Sequence, residues 1–366
     1  MHTLTLSGYY GYGNAGDEAV LAGLVTALRA RRAEADQEIV VLSGRPAETE
    51  AMHGIRAAHR YRIPALLRAL SRTDALLSGG GSLLQDVTSA HSVFYYLGVV
   101  RLAQMLGKKT MFIAQGVGPL SRPRTRRLVA SVANRLNAVT IRDEGSAALL
   151  REIGVTHPPI EVTADPALLL APERQITFRD TPHIFVAVAL RPWAGQDAAL
   201  AEAVARACRA ALPDVRLITV PMQPPVDEPL GERFSRLWRQ EGGEPVARLG
   251  LTDPDVPATS LSPLVDALAG CQLVIGMRLH ALILAAACGV PAVALSYDPK
   301  VAAFMAQSGQ SDAVYDLKDA DPDALAVLLR RVWDARAARA AALRERLPSL
   351  RAAAQRNADV ALELLS

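Results

Sequence analysis

Between Cys271 and Lys300 the chain reads CQLVIGMRLHALILAAACGVPAVALSYDPK, and few folds accommodate that order of residues. Cys271 to Ile275 is a short apolar run of the kind a buried parallel strand needs. Gly276 permits a turn, and Met277 to Cys288 then reads as a helix. Leu279, Leu282, Ile283 and Ala286 fall at the spacing of one apolar helix face. Gly289 stops that helix with Pro291 behind it, and Val293 to Leu295 is the next buried strand. This β-α-β unit sets Arg278 and His280 at the helix start, with Tyr297 and Lys300 in the loop after the second strand. Open α/β sheets bind ligands outside the carboxyl ends of their strands. A helix N-terminus favours anions, and nearby cations strengthen that preference. Two readings stay open: an anion site with an imidazole beside it, or a basic cap on an ordinary helix with a satisfied histidine. On a regular helix Arg278 and His280 point about 200° apart, so both face one ligand only if Arg278 belongs to the turn.

A chain of 366 residues exceeds the usual single core, so two domains are expected. Half of it is hydrophobic, and a net charge of +3 is too small to argue for nucleic acid but suits small anionic substrates. Cys208, Cys271 and Cys288 sit in apolar patterns without CxxC spacing, as buried free thiols of a reducing compartment do. MHTLTLSGYY lacks the basic start and apolar core of a leader, and Ala281 to Leu295 is too short to span a bilayer. A cytoplasmic protein is expected. The seven histidines are scattered and no carboxylate pair has ligand spacing, so no metal is expected.

The strand–loop–helix rhythm runs through the first half. Thr3 to Ser7 leads into a loop with Gly8, Gly11, Gly13 and Gly16, and a helix starts near Asp17. That loop matches neither the dinucleotide fingerprint nor a Walker lysine. Asn14 and Asp17 either hydrogen-bond ligand hydroxyls or cap the helix, and Tyr9, Tyr10 and Tyr12 suit sugar stacking. Asp74 to Leu77 runs into Gly79, Gly80 and Gly81, with Ser82, Gln85 and Asp86 following. A triple glycine there suggests close approach of a ligand or of another domain. Lys109 to Ala114 ends in Gln115, Gly116 and Gly118, a third strand-end loop. Arg122, Arg124, Arg126, Arg127 and Arg135 then lie on a helix that is either a membrane-facing basic surface or a solvated face. Ala138 to Ile141 ends at Arg142, with Asp143 and Glu144 opening a helix.

Residues 1–170 are expected to form one domain, 171–183 a linker, 184–335 a second domain, and 336–366 C-terminal helices that return towards the first. Arg191 takes the strand-end position in the second half that Arg142 takes in the first. The prolines of PMQPPVDEP forbid a helix and argue a functional loop, with the next helix at Gly231 to Gln240. The expected class is α/β, with two Rossmann-like, doubly wound parallel sheets.

Seven ordered segments, GYYGYGNAGDEAVLAG, GGGSLLQDVTS, AQGVGPL, RDEGS, VTADPA, MRLHALI and LSYDPKV, closely resemble the polysaccharide pyruvyl transferase family, in particular its CsaB-type members. The resemblance covers about residues 3–305. It implies a GT-B-like architecture whose domains face a central cleft, and transfer of a pyruvyl group from phosphoenolpyruvate with no other cofactor. It also implies a 4,6-linked pyruvate ketal on N-acetylmannosamine of a lipid-linked cell-wall precursor, a product that anchors S-layer proteins. By this resemblance His280, Arg142 and Lys300 fall on functional positions, with Arg278 in the same motif, and the loops near Asn14 and Gly80 frame the acceptor. Arg191 joins Arg278 as a donor ligand; Asp17, Gly81, Gln115 and Tyr297 join the acceptor side. Peripheral contact at the inner face of the membrane is part of the expectation.

The chemistry fits those residue types. Phosphoenolpyruvate carries a phosphate and a carboxylate and needs several cations. Protonation of its methylene carbon gives an oxocarbenium-like centre that one sugar hydroxyl attacks; phosphate leaves, and a second hydroxyl closes the ring. An imidazole suits that acid/base duty. A helix N-terminus disfavours imidazolium and a bound phosphate favours it, so His280 is expected to act as the acid only with donor in place. The rival reading is a GT-B glycosyltransferase with a nucleotide-sugar donor, its base held by Leu251 to Pro257; a non-catalytic polysaccharide-binding scaffold is a third.

Overall fold

The computed structural model describes residues 2–31, 36–86, 90–172, 184–244, 246–248, 260–318 and 321–365. The linker expected at 171–183 lies outside them from 173 onward, as does the apolar face expected at Leu251 to Pro257. The chain divides into two compact units: Met1–Leu169 with Arg351–Ser366, and Leu170–Leu350.

In the first unit the strands are β1 (His2–Tyr10), β2 (Gln37–Ser43), β3 (Arg56–His59), β4 (Ala75–Gly79), β5 (Lys109–Gln115), β6 (Ala138–Ile141) and β7 (Ile160–Val162). The helices between them are α1 (Ala15–Arg31), α2 (Pro46–His53), α3 (Ile63–Arg72), α4 (Ala90–Met105), α5 (Pro123–Ala133) and α6 (Glu144–Glu152). The sheet order is β3-β2-β1-β4-β5-β6-β7 and every pairing is parallel. The order reverses between β1 and β4, which opens a crevice at their carboxyl ends. β4 and β5 are buried along nearly their whole length, as central parallel strands covered on both faces must be. Leu66, Ala69 and Leu70 of α3 share one core with Val93, Leu97 and Val100 of α4, Val129 and Val132 of α5, and Ala147 and Leu150 of α6. These four helices therefore cover the same face of the sheet.

The second unit repeats the plan. Its strands are β8 (Ile184–Ala189), β9 (Val215–Thr219), β10 (Ala247–Arg248), β11 (Leu273–Gly276), β12 (Ala292–Ser296) and β13 (Val314–Asp316). Its helices are α7 (Asp197–Ala211), α8 (Pro224–Gln240), α9 (Ser262–Ala269), α10 (Leu279–Ala287), α11 (Pro299–Gln307), α12 (Pro322–Asp334) and the first part of α13 (Arg336–Glu363). The order is β10-β9-β8-β11-β12-β13, again wholly parallel, with its switch point between β8 and β11. Two parallel, doubly wound sheets are the fold class that the strand–loop–helix rhythm predicts.

Two local expectations change. The prolines of PMQPPVDEP do not forbid a helix: α8 begins at Pro224, and Pro224 and Pro225 stand in its first turn, where they lack only N–H groups that have no intrahelical acceptor, while Pro229 lies inside the helix at the loss of one such bond. And α10 begins at Leu279, two residues later than the apolar spacing suggests, with Arg278 extended at φ −75° and ψ 117° as its N-cap. Arg278 thus belongs to the turn, which removes the 200° conflict with His280.

The terminal residues of α13 belong to the first unit. Asn357 is fully buried there, accepting hydrogen bonds from Thr140 Oγ1 (2.7 Å) and Thr163 Oγ1 (2.8 Å) and donating to the Ala164 carbonyl (2.9 Å).

Candidate active site

At the carboxyl edge of the first sheet, glycines let backbone segments touch. A Cβ on Gly79 would lie 2.0 Å from the Ile113 carbonyl oxygen, and one on Gly80, at φ +77°, would lie 2.6 Å from Val20 Cγ1 and 2.7 Å from the Tyr10 hydroxyl. Packing inside the unit therefore accounts for Gly79 and Gly80. Gly81 is different: a Cβ there would sit 3.1 Å from Asp17 Oδ1, so this glycine and Asp17 meet on the crevice side. Gln115 is fully buried and donates from Nε2 to the Gly81 (2.9 Å) and Gly116 (2.6 Å) carbonyls, clamping the β4 and β5 loops together. Asn14 spends its side-chain oxygen on the Gly16 N–H at 3.0 Å, the capping role.

Arg142, 5% exposed, follows β6 and donates to Asp165 Oδ2 (2.9 Å) and Ser82 Oγ (2.6 Å). It ties the loops after β4, β6 and β7, and Gly116 lacks a side chain where its Cβ would be 3.0 Å from the guanidinium. Asp143 caps α6 through the Ser146 N–H at 2.7 Å, as the sequence suggests. Of the three loop tyrosines, Tyr10 is buried, donates to the Gly79 carbonyl, and has its hydroxyl pushed well above its ordinary pKa by burial. Tyr9 and Tyr12 instead stack at 4.5 Å, and Tyr9 is exposed.

Sequence reasoning passes over two buried charges here. Glu18 accepts from the Gly11 N–H (2.8 Å) and pairs with His53 Nε2 (2.8 Å), which fixes the start of the β1 loop. Arg60, 2% exposed, donates to the Gly8 carbonyl (2.7 Å) and lies over the rings of Tyr95, Tyr96, Tyr61 and Tyr12 at 4.5–5.6 Å. Cation–π contacts of this kind gain strength where water is excluded. Burial pushes Tyr96 up to about 12, so it stays neutral beneath the guanidinium at physiological pH. The cage props Tyr12 against Tyr9.

In the second unit the sheet register sets the cations level. Ala189, Gly276 and Ala294 are Cα partners across β8, β11 and β12, and Arg191, Arg278 and Ser296 each stand two residues beyond. Arg191 donates to the Tyr297 hydroxyl (2.9 Å) with its guanidinium 5.1 Å from that ring, so a residue expected on the donor side and one expected on the acceptor side form one unit. Arg278 grips both oxygens of Asp227, whose Oδ2 also accepts the Gln223 N–H at 2.9 Å. Its charge is already answered. Lys300, in the first turn of α11, pairs with the N-cap Asp298 at 2.9 Å and stays 31% exposed. His280 is half-buried at the second position of α10. Beside Asp227 a cavity of about 340 Å³ is lined by Leu190, Thr219, Pro221, Glu232 and Arg239. Among the described residues no three His, Cys, Asp or Glu side chains are grouped to hold a metal ion.

Residues 14–299, from Asn14 through α1 to the first turn of α11, match the polysaccharide pyruvyl transferase family. The chain belongs to that family. In this pyruvyl transferase family member the match takes in Arg142, Arg191, Arg278 and His280, begins after Tyr9, Tyr10 and Tyr12, and ends one residue before Lys300. A curated relative, the amylovoran biosynthesis protein AmsJ of Erwinia amylovora, is 23% identical over 381 residues, covering 86% of this chain and 88% of that one. Solved structures similar in fold include MnaA of S. aureus with UDP (TM-score 0.61, 12% identity, 96% of this chain and 91% of that). UDP-GlcNAc 2-epimerase of Neisseria meningitidis bound to UDP-GlcNAc gives 0.60 at 12% identity, covering 100% and 99%; a glycosyltransferase of Rickettsia africae gives 0.60 at 11%, also covering 100% and 99%. The family member is thus GT-B-like in fold.

Proposed function

We propose that the chain is a CsaB-type pyruvyl transferase that moves the pyruvyl group of phosphoenolpyruvate onto N-acetylmannosamine of a lipid-linked cell-wall precursor, forming the 4,6-ketal used for S-layer anchoring. The observation that carries this reading is the level row of strand ends in the second unit, where Arg191, His280 and Lys300 follow adjacent strands. Arg191 has Tyr297 as its partner rather than a carboxylate, which leaves its charge for a donor phosphate or carboxylate. Arg278, neutralised by Asp227, holds the turn that presents His280. Lys300 exchanges Asp298 for the donor at small cost, since a partly exposed pair is weak. In the first unit Tyr9 and Tyr12, with Asp17 and Gly81, form the acceptor side, and Arg142, Gln115 and Gly80 set its loops. Asn14 fixes the first of those loops.

In the reaction the methylene carbon takes a proton, delivered by His280, and a sugar hydroxyl bonds to the adjacent carbon, returning its proton to the imidazole. The bond from that carbon to the phosphate oxygen breaks afterwards, and the phosphate carries off the second hydroxyl's proton. The second hydroxyl then closes the ketal, so one phosphate leaves per pyruvyl transferred. No metal or other cofactor enters this scheme, and the enzyme works at the cytoplasmic face of the membrane.

The test is phosphate release from phosphoenolpyruvate with and without a lipid-pyrophosphate disaccharide ending in N-acetylmannosamine, followed by product mass. Acceptor-dependent release and a product heavier by one ketal establish the reaction; folded enzyme that releases none removes it. A His280→Gln variant with the wild-type pH–rate profile would remove His280 from the proton step. A nucleotide-sugar transferase is the second reading, favoured by the 340 Å³ cavity beside Asp227. Turnover of a sugar nucleotide in place of phosphoenolpyruvate decides for it.

A further inference from the structure

Charge is distributed unevenly along the chain. Residues 51–142 hold fourteen Lys and Arg against two Asp, Asp74 and Asp86, although the totals are 40 basic and 37 acidic. Asp86 is buried, its oxygens taken by Ser121 and the Arg122 N–H, and Asp74 takes the Thr3 N–H. Neither neutralises the outer surface of α3, α4 and α5.

The same stretch carries most of the exposed apolar side chains. Among the described residues nine large hydrophobics are exposed, and six of them are Tyr61, Ile63, Leu67, Phe94, Met105 and Leu106. The three most exposed of these are Met105 at 76%, Ile63 at 68% and Tyr61 at 60%. They lie on or beside two neighbouring helices. Tyr61 meets Tyr95 edge-on at 5.2 Å at one end, and Lys108 Nζ reaches the Ser71 carbonyl at 2.8 Å at the other. On α4 the exposed row is His91, Phe94, Gly98, Arg101 and Met105, at the spacing of one helix face; on α3 it is Ile63 and Leu67 beside Arg68 and Arg72. Between β3 and α3 a cavity of about 380 Å³ is lined by Arg56, Arg62, Arg68, Arg72 and His59. Only Arg56 of those arginines pairs with a carboxylate, Glu38, among the described residues.

We infer that the α3–α4 face docks on an anionic phospholipid surface, with Ile63, Leu67, Phe94 and Met105 entering the headgroup layer and the arginines of the β3–α3 groove taking lipid phosphates. Apolar groups beside a groove lined by four arginines and one carboxylate, Glu38, have the two components of interfacial binding, buried apolar area and attraction to anionic headgroups. This moves the membrane contact away from the Arg122–Arg135 segment: α5 exposes Arg124 and Arg127 but no large apolar side chain. Arg126 is held by the Leu120 carbonyl and Glu152. The inference stands on exposure and charge, independently of which donor the enzyme uses. Among the described residues no helix is long and apolar enough to cross a membrane, so this contact is one of surface association.

The test is flotation of the full chain with phosphatidylcholine vesicles, with and without phosphatidylglycerol. Phosphatidylglycerol-dependent, salt-sensitive flotation is expected, weakened at least about tenfold both by Arg62→Glu with Arg68→Glu and by Ile63→Ser with Phe94→Ser. Arg124→Glu with Arg127→Glu should weaken it less. These side chains are exposed, and unchanged thermal melts would show that each variant folds. Three results would overturn the inference: no preference for the anionic lipid, both α3–α4 variants floating like wild type, or a wild-type dimer in light scattering that Ile63→Ser with Phe94→Ser dissociates.

Discussion

The two strand-end edges are built from the same topology and, Arg278 on Asp227 apart, use their charged residues in opposite ways. In the first unit the charges are buried and spent on the fold: Arg142 on Asp165 and Ser82, Glu18 on Gly11 and His53. What that edge offers a ligand is backbone at glycine loops and tyrosine faces. In the second unit Arg191 and Lys300 stand on loops and first turns, partly exposed, with partners that leave or share them cheaply. An arginine at a strand end is therefore not one kind of evidence. Its burial and its partner decide whether removing it unfolds the loop or empties the site.

The sharpest way to break the contrast is Arg142→Ala. It strands the Asp165 carboxylate, 4% exposed, and should cost about 3–5 kcal/mol of stability, seen as a large fall in melting temperature. Adding Asp165→Ala should recover part of that loss in a double-mutant cycle. Gly80→Ala comes next: at φ +77° and 2.6 Å from Val20, the new methyl should cost about 1–3 kcal/mol.

Asp86→Asn tests the same unit by pH. Burial opposes its charge, but the Ser121 and Arg122 N–H groups outweigh it and hold its carboxyl below the ordinary value. A lowered folded-state pKa stabilises above the unfolded value of about 4, and that stability is lost as pH falls through the folded one. The amide must set an NH₂ against one of two N–H donors, so at pH 7 the variant should be about 1–3 kcal/mol less stable. The gap should close on acidification, read by denaturant melts at several pH values. Arg191→Met and Lys300→Met are the smallest in stability, within about 1 kcal/mol, yet each should abolish most phosphate release. A melting loss for Arg191→Met as large as that for Arg142→Ala would erase the contrast.

Much of this was legible in the residues. Apolar strand runs and glycine breaks located the sheet edges, and Arg142, Arg191, Arg278 and Lys300 all stand at strand ends or first turns. What remained hidden depends on distant partners. Nothing local shows that Arg278 closes on Asp227, 51 residues earlier, or that Arg60 is caged by tyrosines from three segments. The start of α8 is obscured by its prolines, although first-turn position makes Pro224 and Pro225 harmless and Pro229 is carried inside the helix. Tyr9 and Tyr10 look alike in sequence, and strand alternation at the end of β1 separates their fates, one exposed and the other buried.

Asn357 has a consequence for how the protein is made. The first unit needs this amide to join Thr140, Thr163 and the Ala164 carbonyl, yet more than 180 residues of the other unit are translated in between. While the ribosome is still making those residues, the first sheet waits with two buried hydroxyls and a carbonyl uncovered. The earlier half of the chain is thus finished last, and a nonsense codon near its 3′ end would damage the unit encoded at its 5′ end.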